Sequence, residues 1–155
     1  MNLDEGAAAT IIGAAHSAWS RGDLEGMLSW YCDDLTYFCN TGGPDGGPLR
    51  LFGKSNLRAF LRPVLDVADC ITIPATFTYR DGVGRAHIEV ALRHLKSGHV
   101  LTGLYRQVIW FDGLQIAALE EFHDAARMRA FWAMVLLDDS DDLQRVLPRP
   151  KEPHG

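Results

Sequence analysis

The chain has little cysteine, and its spacing suits no cross-link. Cys32, Cys39 and Cys70 are three in 155 residues, with no Cys-x-x-Cys pair. A disulfide framework and a thiolate zinc site are therefore not indicated, and a reducing, cytoplasmic compartment is the expectation. Basic charge is also short: 15 Lys and Arg against 20 Asp and Glu leave a formal net charge of -5. Nucleic acid selects basic faces, so no nucleic-acid partner is expected. No apolar run approaches the ~20 residues that span a bilayer, so no membrane partner is expected either. Met1-Asn2-Leu3-Asp4-Glu5 lacks the basic start of a secretory signal. No internal repeat is visible. What remains is a chain of single-domain length with 47% hydrophobic residues, enough for a core. The domain is read over residues 1–140, with a flexible tail at 141–155.

The most informative stretch is a hairpin over Val100–Asp124. Its first arm, Val100 to Phe111, is dominated by β-branched and aromatic residues, and Asp112-Gly113 is a strong turn signal. Side chains alternate faces along a strand. One face then carries Gly103, Tyr105, Gln107 and Ile109, with Leu119, Glu121 and His123 on the return arm. The other carries Leu104, Arg106, Val108 and Trp110, with Glu120 and Phe122. The first set mixes carboxylate, imidazole, amide and phenol among apolar residues, as a pocket wall does and a plain core does not.

The rest of the chain supplies the cover. Ile11, Ile12, Ala15 and Trp19 fall at helical spacing within a helix over 7–19. Asp23 is a good N-cap for a second helix, whose stripe is Leu24, Met27, Leu28 and Tyr31 and which ends at Asp33-Asp34. A short strand over 35–39 follows, then a Gly- and Pro-rich loop over 41–48 at the mouth of whatever that strand lines. A third helix covers 56–67, with Pro63 kinking it or ending it early. Strands are read over 71–79, where Pro74 points to an edge or a bulge, and over 85–95, where Ile88, Val90 and Leu92 alternate with His87, Glu89 and Arg93. Asp124 caps a last helix over 125–137. The Asp138–Asp142 charge run reads as a solvated helix end. Helices first and then an antiparallel meander make an α+β domain: a curved antiparallel sheet, covered by the N-terminal helices, around a cone-shaped cavity.

This order, with AWSRGDLEGMLSWYCDDLTYFCN at 18–40 and WFDGLQIAALEEFHD at 110–124, resembles the nuclear transport factor 2-like superfamily. That group includes ketosteroid isomerases, SnoaL-like polyketide cyclases, limonene epoxide hydrolase and scytalone dehydratase. The resemblance covers roughly residues 7–135. The aspartate base of ketosteroid isomerases corresponds to Cys39, their oxyanion-hole aspartate to Gln107 and their first-helix tyrosine to Ala15. An aspartate of scytalone dehydratase corresponds to Ser20. The three ketosteroid isomerase positions all differ, which argues against steroid isomerisation by that mechanism. Limonene epoxide hydrolase matches better: its first-strand tyrosine is matched by Tyr37. Its arginine and aspartate on a middle strand correspond to His87 and Glu89, and its second aspartate to Glu121. Its water-holding asparagine corresponds to Cys39.

Strand parity brings Tyr105, Gln107, Glu121 and His123 together, and the resemblance turns Tyr37, His87 and Glu89 toward them. The expected catalytic set is Glu121, Glu89, His87 and Tyr37, with Tyr105, Gln107, His123 and Cys39 against the substrate. Of two carboxylates sharing a proton donor, one activates water and the other, raised by burial, gives a proton. Periodicity read alone points elsewhere: Ile88, Val90 and Leu92 to the core, with His87, Glu89 and Arg93 to solvent. His123 and Glu121 share a face, but a metal would need a third ligand such as His87, and neither metal nor cofactor is expected. Cys39 reads as a small buried thiol, since nucleophilic work needs a base beside it. Trp110, Phe122 and Arg106 make an aromatic patch typical of an interface, and the resemblance implies a homodimer through that outer sheet face. Two function classes follow. One is an acid–base enzyme on a small hydrophobic molecule, by epoxide hydrolysis, polyketide-type cyclisation, dehydration or isomerisation. The other is a non-catalytic domain that binds a ligand or dimerises.

Overall fold

A computed structural model describes residues 2–43 and 45–138; the tail at 141–155 and all but the start of the charge run lie outside the described residues. The elements are α1 (Glu5–Ser20), α2 (Leu24–Leu28), β1 (Tyr31–Cys39), β2 (Leu49–Phe52), α3 (Lys54–Val67), β3 (Ala68–Arg80), β4 (Val83–His94), β5 (Val100–Asp112), β6 (Gln115–Phe122) and α4 (Ala125–Asp138). One six-stranded sheet has the order β2-β1-β6-β5-β4-β3. It is curved and unclosed, and the fold is α+β as the element order implies.

Local chemistry explains the boundaries. Asp4 caps α1 by accepting from the Ala7 amide at 2.7 Å, and Asp23 caps α2 by accepting from the Gly26 amide at 2.8 Å. The β3–β4 turn places Asp81 and Gly82 at φ 53° and 78°, the pair of positive values that a two-residue type I′ hairpin demands. In the β5–β6 hairpin Asp112 pairs with Gln115, so the loop residues are Gly113 and Leu114 rather than Asp112 and Gly113. Pro74 sits on edge strand β3, where the pairing with β4 shifts between Pro74 and Thr76, as the missing N–H requires.

Four expectations about the elements need correction. The second helix stops at Leu28, and Tyr31 opens β1, because Ile116 donates its amide to the Trp30 carbonyl at 2.8 Å and draws the chain into the sheet. Leu49–Phe52 is a strand that was not foreseen. Pro63 does not end α3, which runs on to Val67; the carbonyl it deprives belongs to exposed Ala59, which water can satisfy. The sheet is not purely antiparallel either: β1 pairs with β6 in parallel. The chain leaves β2 through α3 and re-enters the sheet at the opposite edge, so the β3–β6 meander returns to β1 in the same direction.

The core lies between the sheet's inner face and helices α1, α2 and α3. Ile11, Ile12 and Trp19 of α1 meet Leu35 of β1, Ile88 of β4, Ile109 of β5 and Leu119 of β6 in one cluster. A second cluster joins Phe131 and Val135 of α4 to Leu92 and Leu101. The inner row of β4 is Ala86, Ile88 and Leu92, all buried, whereas His87, Glu89 and Arg93 are exposed. Parity on this strand has a direct stability signature. Ile88→Ala should cost about 2–5 kcal/mol in urea unfolding, from lost burial and the cavity left behind, and Glu89→Ala should stay within about 0.5 kcal/mol; equal costs would contradict the register.

Candidate functional site

The site is assembled by three neighbouring strands. Cys39 of β1 pairs with Glu121 of β6, and Glu121 pairs with Gln107 of β5. Residues paired across strands share a face, so one row crosses the sheet floor as Cys39, Glu121 and Gln107. Two residues away along β1 and β5, Tyr37 and Tyr105 turn to the same side. His123 stands just beyond the end of β6. Asn40 holds it there through its side-chain amide, which donates to the His123 carbonyl at 2.9 Å and accepts from its amide at 2.8 Å.

Glu121 is the centre of the polar contacts. The Tyr37 hydroxyl donates to its Oε1 at 2.7 Å, and Gln107 Nε2 donates to its Oε2 at 3.4 Å. His123 Nε2 lies 3.6 Å from the same Oε2. The two side chains are only 12% and 14% exposed, so solvent screens the pair weakly. Tyr105 stacks on the His123 ring, with centroids 4.2 Å apart and planes 22° from parallel.

A chain of hydrogen bonds continues behind Gln107. A carboxylate only accepts, so the Gln107 nitrogen faces Glu121 and its Oε1 faces His16. His16 Nε2 must then donate to Oε1, over 2.9 Å. Burial holds the His16 pKa below its ordinary value, offset in part by Gln107 and Glu121. The neutral ring therefore accepts at Nδ1 from the Thr72 hydroxyl, 2.7 Å away. Ser20 fixes Thr72 in turn, with its Oγ accepting from the Thr72 amide at 2.9 Å and donating to the Thr72 carbonyl at 3.1 Å. No buried side-chain N or O lacks a partner among the described residues.

These contacts set the charges. Burial pushes the Glu121 carboxyl upward, but the adjacent His123 with its charge and the hydrogen bond from Tyr37 outweigh it and hold the group below the usual carboxylate range. Burial pulls His123 down, but its interactions with Cys39 and with the Glu121 carboxylate, and the Glu121 charge, lift it to about 9. Tyr37 and Tyr105 are both pushed well above the ordinary phenol value, first by burial and then by the Glu121 charge, so both keep their protons. At neutral pH the floor holds a carboxylate beside an imidazolium, with a neutral phenol donating to the carboxylate. The expectation that burial raises an acidic carboxyl is reversed here: the proton donor of the pair is His123.

Above this floor is a cavity of about 170 Å³. Its walls are apolar, from Trp19 of α1, Leu57, Phe60 and Val64 of α3, and Met128 and Trp132 of α4. Thr41 and Gly42 of the glycine-rich loop line it as well. An apolar cavity of about 150 Å³ is known to accept benzene, so the space suits a molecule on the scale of one ring.

The structure brings together Glu121, Tyr37, Tyr105, Gln107, His123 and Cys39, all of which line this cavity. It does not bring His87 or Glu89 there. Ala86 pairs with Gln107 and Ile88 with Tyr105, so these take the inner face and their neighbours point outward. His87 bonds to Thr76 Oγ1 at 3.0 Å on the outer face, and Glu89 borders a shallow outer hollow with Ile71, Ile73 and Leu104. Drawing His87 and Glu89 inward needs a one-residue shift at the β4–β5 turn, and the pairing from Val83–Trp110 to Arg93–Val100 runs without one. His16, Thr72 and Asn40 were missed. His16 carried a signal, a polar residue on the apolar stripe with Ile12, Ala15 and Trp19; Thr72 and Asn40 carried none. Among the described residues no three His, Cys, Asp or Glu side chains are arranged to hold a metal ion.

Solved structures share this architecture. A candidate polyketide cyclase from Xanthomonas campestris pv. campestris superposes with a TM-score of 0.71 at 18% identity, over 82% of this chain and 97% of that one. A nuclear transport factor 2-like protein of unknown function from Burkholderia pseudomallei gives 0.70 at 20% identity, over 79% and 95%. The chain has the nuclear transport factor 2-like fold. An epoxide hydrolase of the limonene epoxide hydrolase-like type from M. tuberculosis gives 0.69 at 16% identity, over 87% and 96%. No protein-family model matches the sequence, and no curated protein matches it. At these identities the likeness is one of fold, which hosts many chemistries. No described helix is long and apolar enough to cross a membrane.

Proposed function

We propose that the cavity is the active site of an acid–base enzyme acting on a small hydrophobic molecule that carries a reactive oxygen. The observation that carries this reading is the Glu121 carboxylate beside the His123 imidazolium, 3.6 Å apart on the floor of an apolar cavity. A base and an acid held side by side, each charged at neutral pH, can move two protons in one step. In epoxide hydrolysis, Glu121 takes a proton from water as the water oxygen bonds to a ring carbon. The carbon–oxygen bond breaks, and His123 gives its proton to the leaving alkoxide. Glu121 then holds a proton and His123 lacks one, and transfer between these neighbours resets the pair. In isomerisation, dehydration or cyclisation, Glu121 takes a carbon-bound proton next to a carbonyl, and His123 or Tyr37 donates to the oxygen where charge develops.

A second reading is a binding domain without turnover. It is favoured by the same carboxylate's full set of internal donors, since a group so well satisfied has less drive to take a proton. Assay of small hydrophobic epoxides and ketones separates the two. For the enzyme, Glu121→Gln keeps shape and removes charge, so activity should fall about 100-fold or more with the fold intact by circular dichroism. The rate should rise as pH climbs through the lowered Glu121 value and fall as pH climbs through about 9, where His123 loses its proton. Ligand binding without turnover in the unsubstituted protein would establish the second reading instead.

We propose further that the chain forms a homodimer through the outer sheet face. Arg106 lies over the Phe122 ring at 5.4 Å, Arg50 over Phe38 at 4.7 Å, and Phe38 against Phe122 at 5.6 Å, with Trp110 half-buried nearby. Leu104, Ile71 and Ile73 on the same side are 59%, 49% and 55% exposed, an apolar patch of the kind that marks interfaces. Light scattering at micromolar concentration should give a dimer, and Phe122→Glu should give a monomer; a monomer before substitution would refute the interface.

A further inference from the structure

The acid–base reading uses the hydroxyl of one cavity tyrosine and leaves two others idle. Tyr37 donates to Glu121 Oε1 at 2.7 Å. Tyr31 and Tyr105 line the same cavity and are only 5% and 6% exposed. A buried tyrosine hydroxyl ordinarily finds a partner. Neither of these has one among the described residues, yet no sealed side-chain N or O among those residues goes unsatisfied. Both hydroxyls therefore open onto space, and for side chains so deeply buried that space is the cavity.

The two phenols enter from opposite ends of the floor. Tyr31 opens β1 and pairs with Ile116 at the start of β6, whereas Tyr105 stacks on His123 just past the end of that strand. From residue 116 to residue 123, at about 3.3 Å per residue, the backbone runs roughly 23 Å. The walls between are apolar, with Trp19, Leu57, Phe60 and Val64 among them. Burial pushes both phenols far above their ordinary value and the Glu121 charge adds to it, so both keep a proton to donate. The acceptors of this floor already have donors: Glu121 has Tyr37 and Gln107, and Gln107 Oε1 has His16. What the cavity offers a ligand is a hydrogen-bond donor at each end.

We propose that the cavity takes a neutral, ring-sized molecule with an oxygen acceptor at each end, one held by Tyr105 beside the Glu121–His123 pair and the other by Tyr31. Tyr31 is then the residue that selects for the second oxygen, at a distance from the reacting atoms. A ligand with a single oxygen leaves the Tyr31 hydroxyl buried against apolar surface, which is costly. A ligand with an oxygen at each end satisfies both phenols and is fixed in one orientation. The proposal rests on the reading of this cavity as a small-molecule site, and it is tested by binding alone.

The test compares 1,4-cyclohexanedione with cyclohexanone, each titrated into the full chain and followed by nuclear magnetic resonance. An apolar cavity without placed donors would favour cyclohexanone, the more apolar ring. The proposal predicts the reverse, with the dione bound at least fivefold more tightly. Tyr31→Phe should bring the two affinities to within about twofold by weakening the dione, and leave cyclohexanone unchanged. Because the Tyr31 hydroxyl bonds to no described protein group, Tyr31→Phe should melt no lower than the unsubstituted protein. Equal affinities before substitution, no binding of the dione, or a preference that survives Tyr31→Phe would overturn the proposal. So would a lower melting temperature for Tyr31→Phe, which would give the hydroxyl a partner within the fold. Equal binding of the two rings leaves the Glu121 activity assay undisturbed, and absence of turnover leaves the binding preference undisturbed.

Discussion

A carboxylate taken out of water is the constraint to which the inner face of this protein is built. Left alone, Glu121 would be protonated or would expel itself from the cavity, because an unpaired buried charge is costly. Tyr37, Gln107 and His123 prevent that, each arriving from a different part of the chain. Their arrival depends on the sheet topology. Only the parallel β1–β6 pairing sets Cys39 and Tyr37 beside Glu121, and only the β5–β6 register sets Gln107 on its other side. The hydrogen bonds behind Gln107 reach α1 through His16 and edge strand β3 through Thr72. One charge thus ties four strands and a helix into a single polar network on an otherwise apolar surface.

The network also divides the protons. Every donor to Glu121 makes it a more stable anion and a weaker base, while the same anion makes His123 a stronger holder of its proton. The two effects place the acid and the base on neighbouring residues rather than on two carboxylates. Neutral His16, by contrast, works as a fixed link that orients an amide. Two histidines on one site differ because one meets a carboxylate and the other meets an amide and a hydroxyl.

Much of this was readable from the sequence wherever alternation was the signal. The β5–β6 hairpin announced its inner row, and Tyr105, Gln107, Glu121 and His123 do share the cavity. Alternation also had β4 right, with Ile88 and Leu92 inside. It was the family resemblance that drew His87 and Glu89 inward, since a matched motif records residue type and order but not the register of this particular turn. His16 was obscured for the opposite reason: a helical stripe was recognised as apolar, and the one polar member of it passed as part of the cover. The parallel β1–β6 pair and the Asn40 clamp had no local signature. Both depend on strands that meet only after about 80 residues of intervening chain, and no short window of sequence holds that information.

The claim on which the rest turns is that His123 is held protonated by its neighbours. Titration of the His123 ring followed by nuclear magnetic resonance measures this directly. The account predicts a midpoint at about 9, falling when Glu121 is replaced by glutamine. A midpoint at or below the ordinary histidine value of 6.5 in the unsubstituted protein would contradict it.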